Sequence, residues 1–196
     1  MSARHDAVIN RILERARDPN RATWMAEKSP RLGLAEATAS PPASAAEISE
    51  AERRLGVPIP EILARLYREV GNGGFGPGYG LSGLITGYFV THGETAVPLW
   101  ESWTARPRPA GYENWNWPAT MLPIADWGCA IRSCVDIGKP QCPVYRFDPG
   151  GFLDTEAAAE EDMEATTAEG FAALFEPEAP ALVDWLELWL DGTLEF

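Results

Sequence analysis

The spacing of apolar side chains predicts one helix near each end of the chain. Near the N-terminus the stripe consists of Val8, Ile9, Ile12 and Leu13, and it fits a helix over about residues 6–17. Near the C-terminus the stripe consists of Leu182, Trp185, Leu186 and Trp189. Gly192 is the expected stop of this second helix, because glycine readily takes the backbone conformation that ends a helix.

Two further helices are predicted after residue 43. Ser44 and Glu47 form a capping box, in which the hydroxyl and the carboxylate satisfy free amides at a helix start, and Gly56 ends that helix. The next helix starts at Pro60 or Glu61. Its expected buried face is Ile62, Leu63, Leu66, Tyr67 and Val70. The glycine-rich segment from residue 71 closes it, because Gly and Asn tolerate a left-handed backbone.

The middle of the chain changes to the pattern of short strands. Three strands are predicted over residues 122–127, 130–137 and 143–147, and residues 81–85 could form another. Strands this close in sequence are usually antiparallel neighbours. Helices, then strands, then helices indicate an α+β fold with a central, mainly antiparallel sheet covered by helices.

The length of 196 residues fits one domain with an extension. Residues 1–43 are interpreted as a peripheral extension with a short helix and a linker, and residues 44–196 as the main domain. No apolar leader follows the charged N-terminus, and the longest uncharged run, residues 70–93, contains nine glycines, which does not suit a membrane span. Three cysteines, an odd number, favour reduced thiols. We therefore expect a cytoplasmic protein without membrane contact.

Charge is distributed unevenly along the chain. Residues 1–147 carry 16 basic and 15 acidic side chains, whereas residues 148–196 carry 14 acidic and no basic ones, which gives the net charge of -13. This balance argues against nucleic-acid binding, because phosphate neutralisation needs clustered Lys and Arg. The acidic quarter is either a solvated surface or a docking surface for a basic partner. The candidate docking residues are Glu160, Glu161, Asp162 and Glu164.

An aromatic segment in the middle of the chain offers a second candidate binding surface. Its tryptophans are Trp100, Trp103, Trp115 and Trp117. Aromatic side chains are enriched at interface hot spots, and they are equally common in protein cores. The sequence leaves both interpretations open, and stacking on a carbohydrate is a third possibility.

The residues that could carry chemistry do not form a convergent set. The glycine-rich segment 71–80 follows a helix and lacks Lys, Ser and Thr, so we interpret it as a structural turn and not as a phosphate loop. Cys129, Cys134 and Cys142 lack the paired spacing of a zinc site, and buried thiols are expected instead. Asp126 and Asp136 are interpreted as turn residues. We therefore predict no catalytic, cofactor-binding or metal-binding residues.

The order of these features resembles the SUKH superfamily, known also through the yeast regulators of cell-wall synthesis and killer-toxin resistance. The resemblance begins with Ile48, Glu52, Leu55-Gly56-Val57, Ile59-Pro60, Leu66-Tyr67 and Asn72-Gly73-Gly74. It continues with Leu122-Pro123-Ile124, Trp127-Gly128, Asp136, Trp185-Leu186, Trp189-Leu190 and Gly192. Together these positions span about residues 44–192.

The resemblance implies a sheet covered by helices and a protein that works by binding. Bacterial members are regarded as immunity proteins that neutralise toxins, many of them nucleases, and no catalytic residue is carried over from the family. The expected function is therefore a non-enzymatic cytoplasmic immunity protein without a cofactor, whose partner is a basic toxin domain. The alternatives are a regulatory scaffold that binds housekeeping proteins and a carbohydrate-binding module.

Overall fold

A computed structural model describes residues 2–17, 39–89, 94–105, 116–149 and 168–195 of the chain. The helices are α1 (Ala3–Arg17), α2 (Ala45–Leu55), α3 (Glu61–Arg65), α4 (Ala96–Thr104), α5 (Ala168–Ala173) and α6 (Leu182–Leu190). A π-helix over Leu66–Val70 continues α3 without interruption. Among the described residues, no helix combines the length and the apolar character that crossing a membrane would require.

Four antiparallel strands form one sheet in the order β1-β2-β3-β4. The strands are β1 (Met121–Gly128), β2 (Ile131–Asp136), β3 (Val144–Phe147) and β4 (Phe175–Ala179). Helices precede the sheet and follow it, and α4 packs on β1 while α6 contacts β4. The predicted α+β fold with an antiparallel sheet covered by helices is confirmed.

The predicted helix boundaries of α2 follow from local chemistry. Ser44 Oγ accepts a hydrogen bond from the Glu47 backbone N–H at 3.1 Å, and Gly56 ends the helix with a φ of 73°. The second half of the predicted capping box is not formed, since the Glu47 carboxylate turns away from the helix start. It binds a distant loop instead.

The possible strand over residues 81–85 is not formed. Leu81 makes an isolated antiparallel bridge with Ala125, and the residues after it form a loop. The backbone of this loop hydrogen-bonds to several elements at once, which a continuous ladder with one neighbouring strand would not permit.

Helix α1 belongs to the hydrophobic core, which corrects the expectation that the first residues are peripheral. Val8, Ile9 and Ile12 are at most 1% exposed, and α1 packs against the π-helix and α6. Arg65 fixes the contact, because this buried guanidinium donates to Asp6 at 2.7 Å and to Glu69 at 2.7 Å. Helix α1 is therefore held by both apolar burial and a charged hydrogen bond.

Candidate protein-binding face

A polar network centred on the buried Asn72 side chain joins α2, the segment after the π-helix and the loop after Leu81. Asn72 is 3% exposed, and its side-chain carbonyl accepts the Leu84 N–H at 2.9 Å. Its amide nitrogen donates to Glu47 at 2.9 Å and to Thr86 Oγ1 at 3.2 Å. One asparagine thus connects three segments that are distant in sequence, and it satisfies buried groups that would otherwise be costly.

The Glu47 carboxylate is the acceptor at the centre of this network. Its Oε1 atom accepts the Thr86 N–H at 2.9 Å and the Thr86 hydroxyl at 2.9 Å, in addition to Asn72. Burial alone would raise the pKa of Glu47, but the hydrogen bonds from Thr86, Asn72 and Ile85 outweigh it and lower the pKa below its ordinary value. The carboxylate therefore stays ionised at neutral pH.

Further hydrogen bonds fix the same loop to its other neighbours. The Tyr67 hydroxyl, on the π-helix, donates to the Ser82 carbonyl at 2.9 Å, and the Ser82 N–H donates to Ile124 of β1 at 2.8 Å. The Ala96 N–H at the start of α4 donates to the Gly83 carbonyl at 2.8 Å. The loop is therefore attached to α2, the π-helix, β1 and α4, and this arrangement predicts a rigid backbone.

At Gly87 the loop after Leu81 packs closely against the segment that contains Asn72. The φ of Gly87 is +88°, and a Cβ atom there would lie 2.3 Å from the Asn72 carbonyl oxygen. Only glycine fits without displacing this backbone, so the loop conformation depends on residue type as well as on hydrogen bonds.

The loops that this network joins have no charged residue of their own, but the ionised, half-exposed Glu47 carboxylate is bound to one of them through Thr86. We call the loops 39–43, 71–74 and 82–89 together the Phe89 face; they contain no Asp, Glu, Lys, Arg or His. They form one unit, because Ser40 and Gly73 share a backbone hydrogen bond of 2.9 Å and the Tyr88 N–H donates to the Asn72 carbonyl at 3.0 Å. Phe89 is 51% exposed, whereas the buried parts of the loops are hydrogen-bonded.

Of the four candidate tryptophans, the structure describes Trp100, Trp103 and Trp117, and each of them is buried or half-buried. Trp100 and Trp117 are 9% and 7% exposed, and their indole N–H groups donate to the Ala119 and Met121 carbonyls. Trp103 is half-buried, with its ring centroid 4.3 Å from that of Trp117. Trp115 lies outside the described residues. The burial of Trp100 and Trp117 favours the core interpretation for both.

The candidate acidic residues Glu160, Glu161, Asp162 and Glu164 lie outside the described residues. The acids of α6, in contrast, are paired within the chain: Arg4 binds Asp184 at 2.6 Å, and Arg11 binds Asp191 at 2.6 Å. The α6 surface is therefore partly neutralised by α1. In the sequence, residues 150–167 contain six acidic and no basic side chains.

The thiols follow the prediction in two of three cases. Cys134 and Cys142 are buried, and burial raises the pKa of Cys134 well above its ordinary value and that of Cys142 to about 11. Cys129 is exposed, because it occupies the two-residue turn between β1 and β2, so the expectation of burial is wrong there.

The two aspartates confirm the interpretation as turn residues. Asp126 accepts the Gly128 N–H at 2.7 Å, and Asp136 accepts the Gly138 N–H at 3.1 Å. Both side chains are buried, which the sequence did not indicate. Since they lie at opposite ends of the β1–β2 ladder, they cannot act as a carboxylate pair.

A cleft of about 280 Å³ lies between β4 and the end of α6. Arg146, Glu178, Leu188 and Glu195 are among its lining residues. Glu178 is turned toward the interior, where it accepts the Ser133 hydroxyl at 2.7 Å, and burial raises its pKa. The Ser133 hydroxyl in turn accepts the Trp127 N–H, so this carboxyl completes an internal hydrogen-bond chain.

Comparison with known proteins supports a binding role for such a fold. Residues 42–176 match the SMI1/KNR4 family (SUKH-1), which is more than half of the chain. The chain therefore belongs to the SMI1/KNR4 (SUKH-1) family. Members of this family are typically immunity proteins of polymorphic toxin systems and are generally non-catalytic. A search of curated proteins gives no significant match.

The sequence did not single out the residues that organise the Phe89 face. Asn72 was interpreted as a helix terminator and Glu47 as a cap, although both appear in recognisable motifs. Their hydrogen-bond partners are 12–39 residues away, so only the tertiary fold reveals them. Nothing in the sequence indicates that Phe89 is exposed, because a single phenylalanine in a glycine-rich segment can be either buried or exposed.

Proposed function

We propose that this protein is a cytoplasmic immunity protein, which binds a cognate toxin domain and blocks it without catalysing a reaction. The observation that carries the proposal is membership of the SMI1/KNR4 (SUKH-1) family over residues 42–176. The described residues support the proposal, since the hydrogen bonds of Asn72 hold the surrounding loops in place and Phe89 is exposed on one of these loops.

The partner that fits the charge distribution is a basic domain, such as a nuclease. A nuclease must attract phosphate, and a chain of net charge -13 presents the opposite sign to such a surface. The α6 acids Asp184 and Asp191 are paired with Arg4 and Arg11, and residues 150–167 contain six acidic and no basic side chains, so we place the steering charge in that segment. Glu160, Glu161, Asp162 and Glu164 would act mainly on the association rate.

The experiment is co-expression with the toxin domain encoded beside the gene, followed by kinetics with the purified pair. Rescue of growth and a 1:1 complex support the proposal, and failure of both with every neighbouring toxin domain contradicts it. Changing Glu160, Glu161, Asp162 and Glu164 to their amides should lower the association rate constant by about tenfold at low salt.

The matched control carries the same change in total charge on the first half of the chain. Its substitutions are Glu14→Gln, Glu27→Gln, Glu36→Gln and Glu94→Gln, all in the first half of the sequence and outside the acidic segment. If both variants slow association equally, the acidic segment has no special part in steering, and only the total charge matters.

A further inference from the structure

Asn72 is followed in the chain by Gly73, and no other asparagine of the sequence precedes a glycine. The remaining asparagines, at positions 10, 20, 114 and 116, precede arginine or tryptophan. The side-chain amide of an asparagine can be attacked by the backbone nitrogen of the next residue. A following glycine favours this attack, because it has no Cβ atom to hinder ring closure and its backbone is free to turn. The sequence therefore gives Asn72 the least hindered neighbour of any asparagine in the chain.

The reaction at this position needs only water and a base. The base removes the proton of the Gly73 N–H, and the nitrogen bonds to the Asn72 Cγ atom to close a five-membered succinimide ring. The side-chain nitrogen leaves as ammonia, with a proton taken from water. Water then opens the ring at either of its two carbonyls and gives aspartate or isoaspartate. The net change is one water consumed and one ammonia released.

The folded protein protects the Asn72 side chain from this reaction. The residue is 3% exposed, its side-chain carbonyl accepts the Leu84 N–H at 2.9 Å, and its nitrogen donates to Glu47 and Thr86. The nitrogen that has to leave makes two of these three hydrogen bonds, so ammonia is released only when both of them break. We therefore expect Asn72 to react in chains in which the network has opened locally.

The products do not fit the closed network. An aspartate at position 72 places an oxygen where the amide nitrogen lies 2.9 Å from Glu47, so two carboxylates would face each other without a donor between them. An isoaspartate lengthens the backbone by one carbon beside Gly73. Even an added Cβ atom at Gly73 would lie 2.5 Å from the Leu81 carbonyl oxygen, so this backbone has no space for the longer chain.

We propose that Asn72 is a self-modification site: opening of its network permits deamidation, and the product prevents the network from closing again. A transient opening thus becomes permanent. Because Asn72 joins α2 to the loops of the Phe89 face, the modification displaces these loops. The inference goes beyond the proposed function, and its test needs no partner protein.

Peptide mapping of the full-length protein tests the protection. The protein is incubated at mildly alkaline pH, folded or in urea, and each asparagine is checked for the mass increase that accompanies replacement of NH2 by OH. In urea, Asn72 should react before the asparagines at positions 10, 20, 114 and 116. In the folded protein, its rate should be at least about tenfold lower than in urea. Equal rates in the two states would overturn the inference.

Substitutions at position 72 test the effect of the product. Asn72→Asp and Asn72→Ala both remove the two donated hydrogen bonds, and only Asn72→Asp adds a charge beside Glu47. Asn72→Asp should therefore unfold at a lower urea concentration than Asn72→Ala, although it keeps an acceptor for the Leu84 N–H. Adding Glu47→Gln should stabilise Asn72→Asp, because it removes the facing charge and supplies a donor.

Two results at this position would overturn the inference. The first is an Asn72→Asp protein at least as stable as Asn72→Ala, since the deamidated network could then close. The second is an Asn72→Asp protein that Glu47→Gln does not stabilise, since charge repulsion would then not be the cause. If Asn72→Asp does not fold in water, recovery of a folded protein on adding Glu47→Gln supports the inference, and failure to recover one contradicts it.

Discussion

The Asn72 amide donates to the Glu47 carboxylate over 2.9 Å, although 25 residues separate them in the chain. This contact joins the first turn of α2 to the segment that follows the π-helix. Because Thr86 binds the same carboxylate oxygen, three segments meet at one acceptor. The contact between buried Asn72 and half-exposed Glu47 therefore fixes the positions of the loops of the Phe89 face.

Removing the Asn72 side chain should destabilise the protein strongly. Asn72→Ala leaves the Leu84 N–H without its acceptor and removes two donors, so we expect a loss of about 2–4 kcal/mol in the free energy of unfolding. Urea denaturation measures it. Asn10→Ala, at an exposed position of α1, should change stability by less than about 0.5 kcal/mol. Equal effects of the two substitutions would refute a central role for Asn72.

The Glu47 carboxylate should make stability depend on acid pH. Its folded-state pKa is lowered, so its ionised form stabilises the fold above the unfolded-state pKa, and this contribution is lost as pH falls through the folded-state pKa. Glu47→Gln should therefore be less stable than wild type at pH 7, by about 1–3 kcal/mol.

The difference between the two proteins should shrink as the pH is lowered below about 4. Urea midpoints measured between pH 3 and pH 7 give the comparison. A gap that stays constant over this range would mean that the carboxylate charge has no part in the network.

Substitutions at two glycines distinguish the energetic cost of a left-handed backbone from the cost of a steric overlap. Gly56 and Gly87 both have a φ between 70° and 90°, but a Cβ atom at Gly56 meets nothing within 4 Å, whereas one at Gly87 would overlap the Asn72 carbonyl. Gly56→Ala should cost roughly 1–2 kcal/mol for the left-handed backbone. Gly87→Ala should cost an additional 1–3 kcal/mol, although the residue is exposed. Thermal or urea unfolding measures the loss in the free energy of unfolding for both variants. Equal losses would show that the loop around Gly87 shifts to accommodate the added Cβ atom.

Helix α1 should contribute to global stability and not behave as a detachable extension. Ile12→Ala removes a side chain that is 0% exposed, so a loss of about 2–5 kcal/mol is expected. Leu13→Ala, at the neighbouring half-buried position, should cost clearly less. If Ile12→Ala unfolds with wild-type stability, α1 is not part of the cooperative unit.

The sequence predicted the elements whose boundaries are set locally. Ser44 and Gly56 delimit α2 through hydrogen bonds and backbone preferences of their own, so the helix could be placed without tertiary information. Strand β4 escaped prediction although Phe175–Ala179 alternates apolar and polar residues, because it is short and contains Pro177, a residue that argues against a strand. The π-helix also escaped, since the apolar spacing of Leu66, Tyr67 and Val70 fits an ordinary helix equally well.

The candidate site depended more heavily on tertiary structure. Charge and aromatic content pointed to Trp100 and Trp117, which the fold buries, and they gave no reason to choose Phe89. Exposure is decided by which segments pack together, and here that packing depends on long-range hydrogen bonds from Asn72 and Glu47. A sequence pattern records residue types and spacing, and it does not record such partners.

The most direct test of a protein that acts by covering another is the stoichiometry of inhibition. Titration of the purified chain into the toxin domain encoded beside it should abolish toxin activity at one equivalent, with the toxin recovered intact and active after the complex is separated. Inhibition at a small fraction of one equivalent, or a toxin left chemically altered, would contradict the account, because the chain would then act as an enzyme.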